Sequence, residues 1–169
     1  ALRKFVNGFD ANSVETAPVV EVGAPLIWTY WVTNTGQSSF PLASVVVTDT
    51  DPAVNPEFNQ VILGNNDEIL EPGEVWEYID TGIMPDPGRP DVNGDKQDCG
   101  TGPGEDVNHG YINGARVTVD DLSDEDIAIA CPPPPPVPAL DGVRIDTFEF
   151  RYTVENPVAA EEGIPWENI

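Results

Sequence analysis

Alternation of apolar and polar residues, the pattern of a half-buried β-strand, recurs along most of the chain. The stretch LIWTYWVTNTG shows it most clearly, and NTG then supplies a turn in which Gly36 can take a positive φ. One phase of this stretch is the expected core face: Leu26, Trp28, Tyr30 and Val32. The preceding VVEV, bounded by Pro18 and Gly23, predicts a short partner strand.

Four later stretches repeat the strand pattern: SVVVTDTDP, NQVILGNNDEILEPGEVWEYIDTG, YINGARVTVDD and EDIAIAC. The second of them predicts two strands around a loop, with Trp76 and Tyr78 on one face. The residues expected to share faces in the last two are Ala115, Val117 and Val119, and then Ile127, Ile129 and Cys131. DDLSDED between them reads as a solvated turn. About seven short strands without a convincing helix predict an all-β fold, a β-sandwich over residues 1–131.

A proline run follows Cys131 and sets the rest of the chain apart. Residues 132–140 predict a polyproline spacer, which cannot donate to a sheet ladder. Residues 141–169 then contain one more alternating segment, whose apolar face is Phe148, Phe150, Tyr152 and Val154. An uncovered strand of this kind would aggregate, so it must pack on its own domain, on a further domain, or on another copy.

Charge excludes several classes of partner. Seven basic residues against 30 acidic ones give a net charge of −23, which disfavours nucleic acid and anionic membrane surfaces. No apolar run approaches the ~20 residues of a membrane span, so no membrane insertion is expected. The chain starts at Ala1 without Met, which fits a secreted protein after cleavage or a fragment, and we expect an extracellular or cell-surface location.

Two cysteines, Cys99 and Cys131, lie far apart in sequence and form no CxxC pair. Zinc is therefore disfavoured, and two buried free thiols are one alternative. In an acidic, lysine-poor, exported chain a disulfide is favoured. It would stabilise the fold by roughly 3–4 kcal/mol in the chain-entropy model.

Acidic clusters suggest calcium as a cofactor. DVNGDKQD begins like an EF-hand loop, yet Lys96 replaces the turn glycine and Gly102 stands at position twelve. A site of another type or a solvated turn are the alternatives there. The candidate ligands are Asp91, Asn93, Asp95 and Asp98 in this loop, Asp49 and Asp51 in TDTDP, and Asp67 and Glu71 in NNDEILEPGE.

Catalysis finds little support in the sequence. The one histidine, His109, lies in a polar loop with no activated serine or cysteine near it, so we expect no enzyme. A carbohydrate-binding module is a better rival, because Trp31, Trp76 and Trp166 are candidates for stacking on a glycan. Trp76 at strand spacing is more typical of a core residue.

Several of these segments together resemble a known family. WTYWVTNTG, EILEPGEVWEY and GYINGARVTVDD are similar to successive signatures of Ig-like repeat domains in large microbial cell-surface and adhesin proteins, in the same order. The resemblance covers residues 3–131 and implies an Ig-like β-sandwich that acts as a stalk, adhesin or matrix module. The Cys99 loop and everything after Cys131 depart from the pattern.

Together these observations predict an extracellular structural protein. The expected partners are copies of the chain itself, joined head to tail as a filament or surface layer by exchange of the C-terminal strand. The alternative is a monomeric adhesive or carbohydrate-binding module of a larger surface protein, with a glycan as its partner.

Overall fold

The structure, a computed structural model, describes residues 1–86, 98–101 and 107–134. The chain divides into two units, residues 1–137 and residues 138–169, and the second lies outside the described residues together with most of the spacer. The predicted tail strand therefore stays a prediction. Within the described ranges the strands are β1 (Leu2–Val6), β2 (Pro25–Thr33), β3 (Phe40–Pro41), β4 (Val45–Asp49), β5 (Glu57–Leu63), β6 (Ile69–Leu70), β7 (Val75–Ile83), β8 (Asp98–Thr101), β9 (Val107–His109), β10 (Tyr111–Val119) and β11 (Leu122–Ala130).

Two antiparallel sheets form the body of the molecule. One sheet has the order β1-β2-β7-β5 and the other the order β11-β10-β4. This is the four-on-three strand order of a constant-type immunoglobulin sandwich, so the predicted all-β, Ig-like β-sandwich is confirmed. Two small pairs, β3 with β6 and β8 with β9, lie in the connections.

Strand phase puts the core where the sequence predicts it. The four apolar residues of the expected face of β2 are all at most 3% exposed, and Trp76 and Tyr78 of β7 join them. Alternate residues of β4 and β10 supply the opposing wall, including Val47, Ala115 and Val117. A second, smaller cluster contains Ile112, Ile129 and Cys131, which fulfils the expectation that the last two share a face.

Within the described ranges, the strand β1 has a sheet partner on one side only, and side chains of β11 cover its other edge. The backbone N–H of Leu2 donates to Asp124 at 2.8 Å, and that of Lys4 donates to Asp126 at 2.7 Å. Carboxylates therefore occupy donors that would otherwise recruit another strand.

One sequence expectation is wrong, and another is right only in part. VVEV forms no partner strand for β2, because β1 and β7 occupy both of its edges; Val19 makes only an isolated bridge with Cys131 and is 65% exposed. DDLSDED is only in part a turn: β11 already begins at Leu122, and two of its aspartates cap β1. A pattern of charges alone does not show that such residues face a strand edge.

A single short 3₁₀ turn, Leu42–Ser44, is the helical structure of the described ranges. None of the helices there is long and apolar enough to span a membrane.

Candidate functional site

A lysine is fully buried between the two sheets. Lys4 lies opposite Tyr30 in the β1–β2 ladder, and its side chain crosses to the other sheet. There its Nζ forms an ion pair with Asp49 of β4, whose side chain is also fully buried, and donates to Oδ1 of Asn113 of β10 at 2.5 Å. Three strands from two sheets therefore meet at one ammonium group.

Aromatic residues enclose this group. Nζ lies 4.6 Å from the ring centroid of Trp28 and 4.7 Å from that of Tyr30, so both rings make cation–π contacts. The Tyr30 hydroxyl donates to Oδ2 of Asp49 at 2.6 Å. The backbone N–H of Asp51 also donates to Oδ1 of Asp49 at 2.8 Å. The carboxylate thus has three donors, and the ammonium has acceptors within an apolar core.

A second tyrosine extends the network toward the loop after β4. The Tyr111 hydroxyl donates to Asp51 at 2.7 Å and accepts a hydrogen bond from Nδ2 of Asn113 at 3.2 Å. Asn113 is 1% exposed and is therefore held by Lys4 on one side and Tyr111 on the other. This fixes the orientation of its carboxamide.

Burial controls the protonation of the cluster. Loss of solvation lowers the pKa of Lys4 to about 8, although the nearby Asp49 carboxylate opposes the shift. Burial and the adjacent Asp49 charge raise the pKa of Tyr30, so its hydroxyl stays protonated. At pH 7 the lysine is therefore mainly an ammonium.

Such a cluster is not explained by stability. Desolvating two charges costs several kcal/mol, and an apolar set of the same volume is often equally stable or more stable. A buried amine with a shifted pKa beside a carboxylate is also an arrangement typical of reactive sites. We therefore take Lys4, Asp49 and Asn113, together with Tyr30, as the candidate functional site, and call it the Lys4 cluster.

The calcium candidates are dispersed in the described part of the chain. Asp49 and Asp51 belong to the Lys4 cluster and its extension. Asp67 accepts from the backbone of Ile69, and Glu71 accepts from Asn65. Asp98 begins β8, and the remaining candidates, Asp91, Asn93 and Asp95, lie outside the described residues. No group of three or more histidines, cysteines or carboxylates suited to a metal occurs among the residues described, and calcium stays a prediction.

The buried carboxylate of Glu74 has a structural role in the loop that contains Asp67 and Glu71. Its two oxygens accept from the backbone N–H groups of Asn65 and Glu71. Gly64 passes so close to this side chain that an added Cβ would lie 2.1 Å from Oε1. The loop is therefore built around one carboxylate, and this explains part of its acidic composition.

Cys99 and Cys131 form the predicted disulfide, with their Cα atoms 5.7 Å apart. It links β8 to the end of β11. Gly110 makes room for it, because a Cβ there would lie 2.8 Å from the Cys99 sulfur. Val14 and Ala17 pack against the small apolar cluster of Ile112, Ile129 and Cys131.

The tryptophans divide into two groups. Trp76 is 1% exposed and belongs to the core. Trp31 is half-buried on the outer face of the larger sheet, where its ring lies 4.7 Å from that of Phe5 and its Nε1 donates to Glu77. Trp166 lies outside the described residues.

Sequence reasoning missed the Lys4 cluster, although a signal for it was present. Lys4 shares the phase of Leu2 and Val6, Asn113 shares that of Ala115, and Asp49 shares that of Val47. Polar residues in the buried phase of three strands indicate a buried polar cluster.

Comparison of the chain with known family models, with curated proteins and with solved structures gives no match.

Proposed function

We propose that this chain is an extracellular structural protein, a subunit of a filament or surface layer whose copies join head to tail through the C-terminal segment. The observation that carries the proposal is the difference between the two sides of the sandwich. On the β1 side, aspartates of β11 occupy the free backbone donors. On the opposite side, β4 and β5 each have a sheet neighbour on one flank only among the described residues.

Exposed apolar side chains accompany these two edge strands. Val46 of β4 is 51% exposed, and Ile62 and Leu63 of β5 are 42% and 60% exposed. The ladder of β5 with β7 has two register shifts, which blunt an edge, whereas β4 pairs with β10 in regular register. We therefore assign β4 as the acceptor edge.

The proposed occupant is the segment 148–154 of a second copy. Its alternating apolar residues suit a strand that covers a half-exposed edge, and the proline spacer before it favours docking away from its own body. A contact of this heterologous kind does not close on itself and produces a filament. The disulfide supports an oxidising, extracellular setting.

Deleting residues 141–169 tests the proposal. The full chain should form polymers in size-exclusion chromatography with light scattering, and the deleted chain should be a monomer. Added in excess, a synthetic peptide of residues 141–169 should shorten the polymers by occupying acceptor edges. A matched peptide with Phe148→Ser and Phe150→Ser should not.

Either of two results would contradict strand exchange: polymers that survive the deletion, or a full chain that stays monomeric. Placing a charge on the acceptor edge, as in Val46→Glu, should also weaken assembly. Ile83→Glu is a suitable control, because this residue is 68% exposed at the end of β7 on the other sheet.

The alternative, a glycan-binding module, is favoured by one observation. The half-buried Trp31 ring lies on the outer face of the larger sheet, beside a carboxylate that Asn59 and Gln60 also contact. An aromatic ring next to polar side chains suits a sugar. A monomeric full chain that binds a glycan array and loses this binding on Trp31→Ala would support this function in place of assembly.

A further inference from the structure

The geometry points to a covalent cross-link that the protein forms on itself: an amide bond between Nζ of Lys4 and Cγ of Asn113, made with the help of Asp49. This inference concerns the Lys4 cluster alone and does not rest on the proposed assembly. The product is a side-chain amide that joins the first strand of one sheet to the middle strand of the other.

The first requirement is contact between the reacting groups. Nζ of Lys4 lies 2.5 Å from Oδ1 of Asn113, so the amine lies against the carboxamide it would attack. Both residues lie on well-held strands, since β1 is fixed by β2 and by the aspartates of β11, and β10 pairs on both sides. Groups held in contact by a rigid scaffold react with effective concentrations far above those in solution.

The second requirement is a proton carrier beside the amine. Asp49 contacts Nζ directly, and its carboxylate can take the proton that an ammonium must lose before it acts as a nucleophile. The surroundings already lower the proton affinity of Lys4, which makes this transfer easier. Tyr30 holds the carboxylate in place from the other side.

The atoms and charges balance without any co-reactant. Lys4 gives a proton to Asp49, and the neutral amine adds to Cγ of Asn113 to form a tetrahedral intermediate. Asp49 returns its proton to the carboxamide nitrogen, the bond from Cγ to Nδ2 breaks, and ammonia leaves. The new bond is Cγ to Nζ, and the departing ammonia carries away the positive charge as ammonium, so Asp49 ends as a carboxylate.

The third requirement is exclusion of water, which would compete for the intermediate. Lys4 and Asp49 have fully buried side chains, and Trp28 and Tyr30 pack against the amine. The reaction therefore depends on folding and occurs once per molecule, because its product is the protein itself. It also offers a reason for a charged cluster that stability does not explain.

Intact-mass spectrometry of the denatured full chain is the direct test. The disulfide is reduced first, so that every remaining mass difference reports other chemistry. We expect the wild-type protein to be lighter than its sequence by one ammonia. A wild-type mass equal to that of the sequence would overturn the proposal and leave an ordinary buried ion pair.

Mass alone is not sufficient, because Asn113 precedes Gly114 and a cyclic imide at this pair would also release one ammonia. Proteolysis and tandem mass spectrometry separate the two products. The amide predicts a branched peptide that joins residues of β1 to residues of β10, with Lys4 resistant to trypsin. An imide predicts a linear peptide, and finding only that product would overturn the proposal.

Three variants and one control variant complete the test. Lys4→Arg and Asn113→Ala should both have the full mass of their sequences, and Asp49→Asn should form the bond far more slowly or not at all. Lys96→Arg, which changes the only other lysine, should still lose ammonia. Loss of ammonia that persists in Lys4→Arg would overturn the proposal, and the branched wild-type peptide decides the matter should a variant fail to fold.

Discussion

At the scale of single residues, Tyr78 places a polar hydroxyl group in the apolar core. Its side chain is 4% exposed, and no hydrogen-bond partner for its hydroxyl lies in the described part of the chain. The ring itself packs edge-on against Phe58 at 5.7 Å. Packing of the ring therefore stabilises the fold, whereas burial of the hydroxyl destabilises it.

Tyr78→Phe should leave the free energy of unfolding at neutral pH unchanged or raise it by up to about 1 kcal/mol, because the unpaired hydroxyl is removed. Tyr30→Phe is the matched control, since its hydroxyl donates to Asp49 and its loss should destabilise the fold. Urea denaturation measures both. Equal losses in the two variants would show that Tyr78 has a partner after all.

The same tyrosine should give a dependence on alkaline pH. Burial raises the pKa of Tyr78 to about 12, whereas an unfolded tyrosine ionises near pH 10. The folded state therefore holds the proton more tightly than the unfolded state. The resulting contribution to the free energy of unfolding is complete below pH 10 and is lost as the pH rises to about 12. Over this pH range, the free energy of unfolding should fall by about 2–3 kcal/mol less in Tyr78→Phe than in the wild-type protein.

Single residues also show where reasoning from sequence reaches its limit. The phases of β2 and β10 identified their core residues, because burial follows a period of two along a strand. Lys4 lies in the same buried phase, yet lysine is almost never buried without a partner. Its residue type therefore indicates exposure where its position in the strand indicates burial. Its partners Asp49 and Asn113 lie 45 and 109 residues away, and only the fold brings them together.

At the scale of elements, the edge of β1 depends on two aspartates rather than on a strand. Asp124 and Asp126 accept from alternate N–H groups of β1, as a neighbouring strand would. Hydrogen bonds to charged acceptors contribute more than neutral ones. This side of the sandwich is therefore closed by side chains of β11.

Replacing both residues, as in Asp124→Ala with Asp126→Ala, should lower the free energy of unfolding by about 3 kcal/mol, because two charge-assisted hydrogen bonds are lost. The exposed edge of β1 should also promote association that light scattering detects. Asp121→Ala is the control: this residue is exposed in the preceding turn, and its replacement should change stability by less than about 0.5 kcal/mol. A double variant as stable as the control would refute the capping role.

Elements differ in how far the sequence predicts them. Strong alternation gave β2, β7 and β10, because each has one apolar face against the core. VVEV has the composition of a strand but no free neighbour to pair with, and a strand needs a partner. The strand order of the sheet, and not the strand propensity of VVEV, therefore determines that this segment forms no strand.

At the scale of the whole molecule, the net charge of −23 acts on every property at once. Few cations offset it, and among the described residues the ion pairs beyond the Lys4 cluster are Arg3 with Asp10 and Arg116 with Glu125, both partly exposed. Such exposed pairs contribute little. Self-repulsion should therefore limit the stability of the folded state at low ionic strength.

Salt and calcium separate general screening from a specific site. Raising sodium chloride from about 0.01 M to about 0.2 M should raise the melting temperature, because the Debye length shortens from about 30 Å to less than 10 Å. At equal ionic strength, calcium chloride should raise it further than magnesium chloride if the predicted site exists, since a flexible set of carboxylates suits calcium better. Asp91→Asn with Asp95→Asn should abolish this extra increase, whereas Asp67→Asn with Glu71→Gln tests the other loop in the same way. Identical melting curves in the two divalent salts, together with no change on adding a chelator, would eliminate calcium and leave screening as the whole effect.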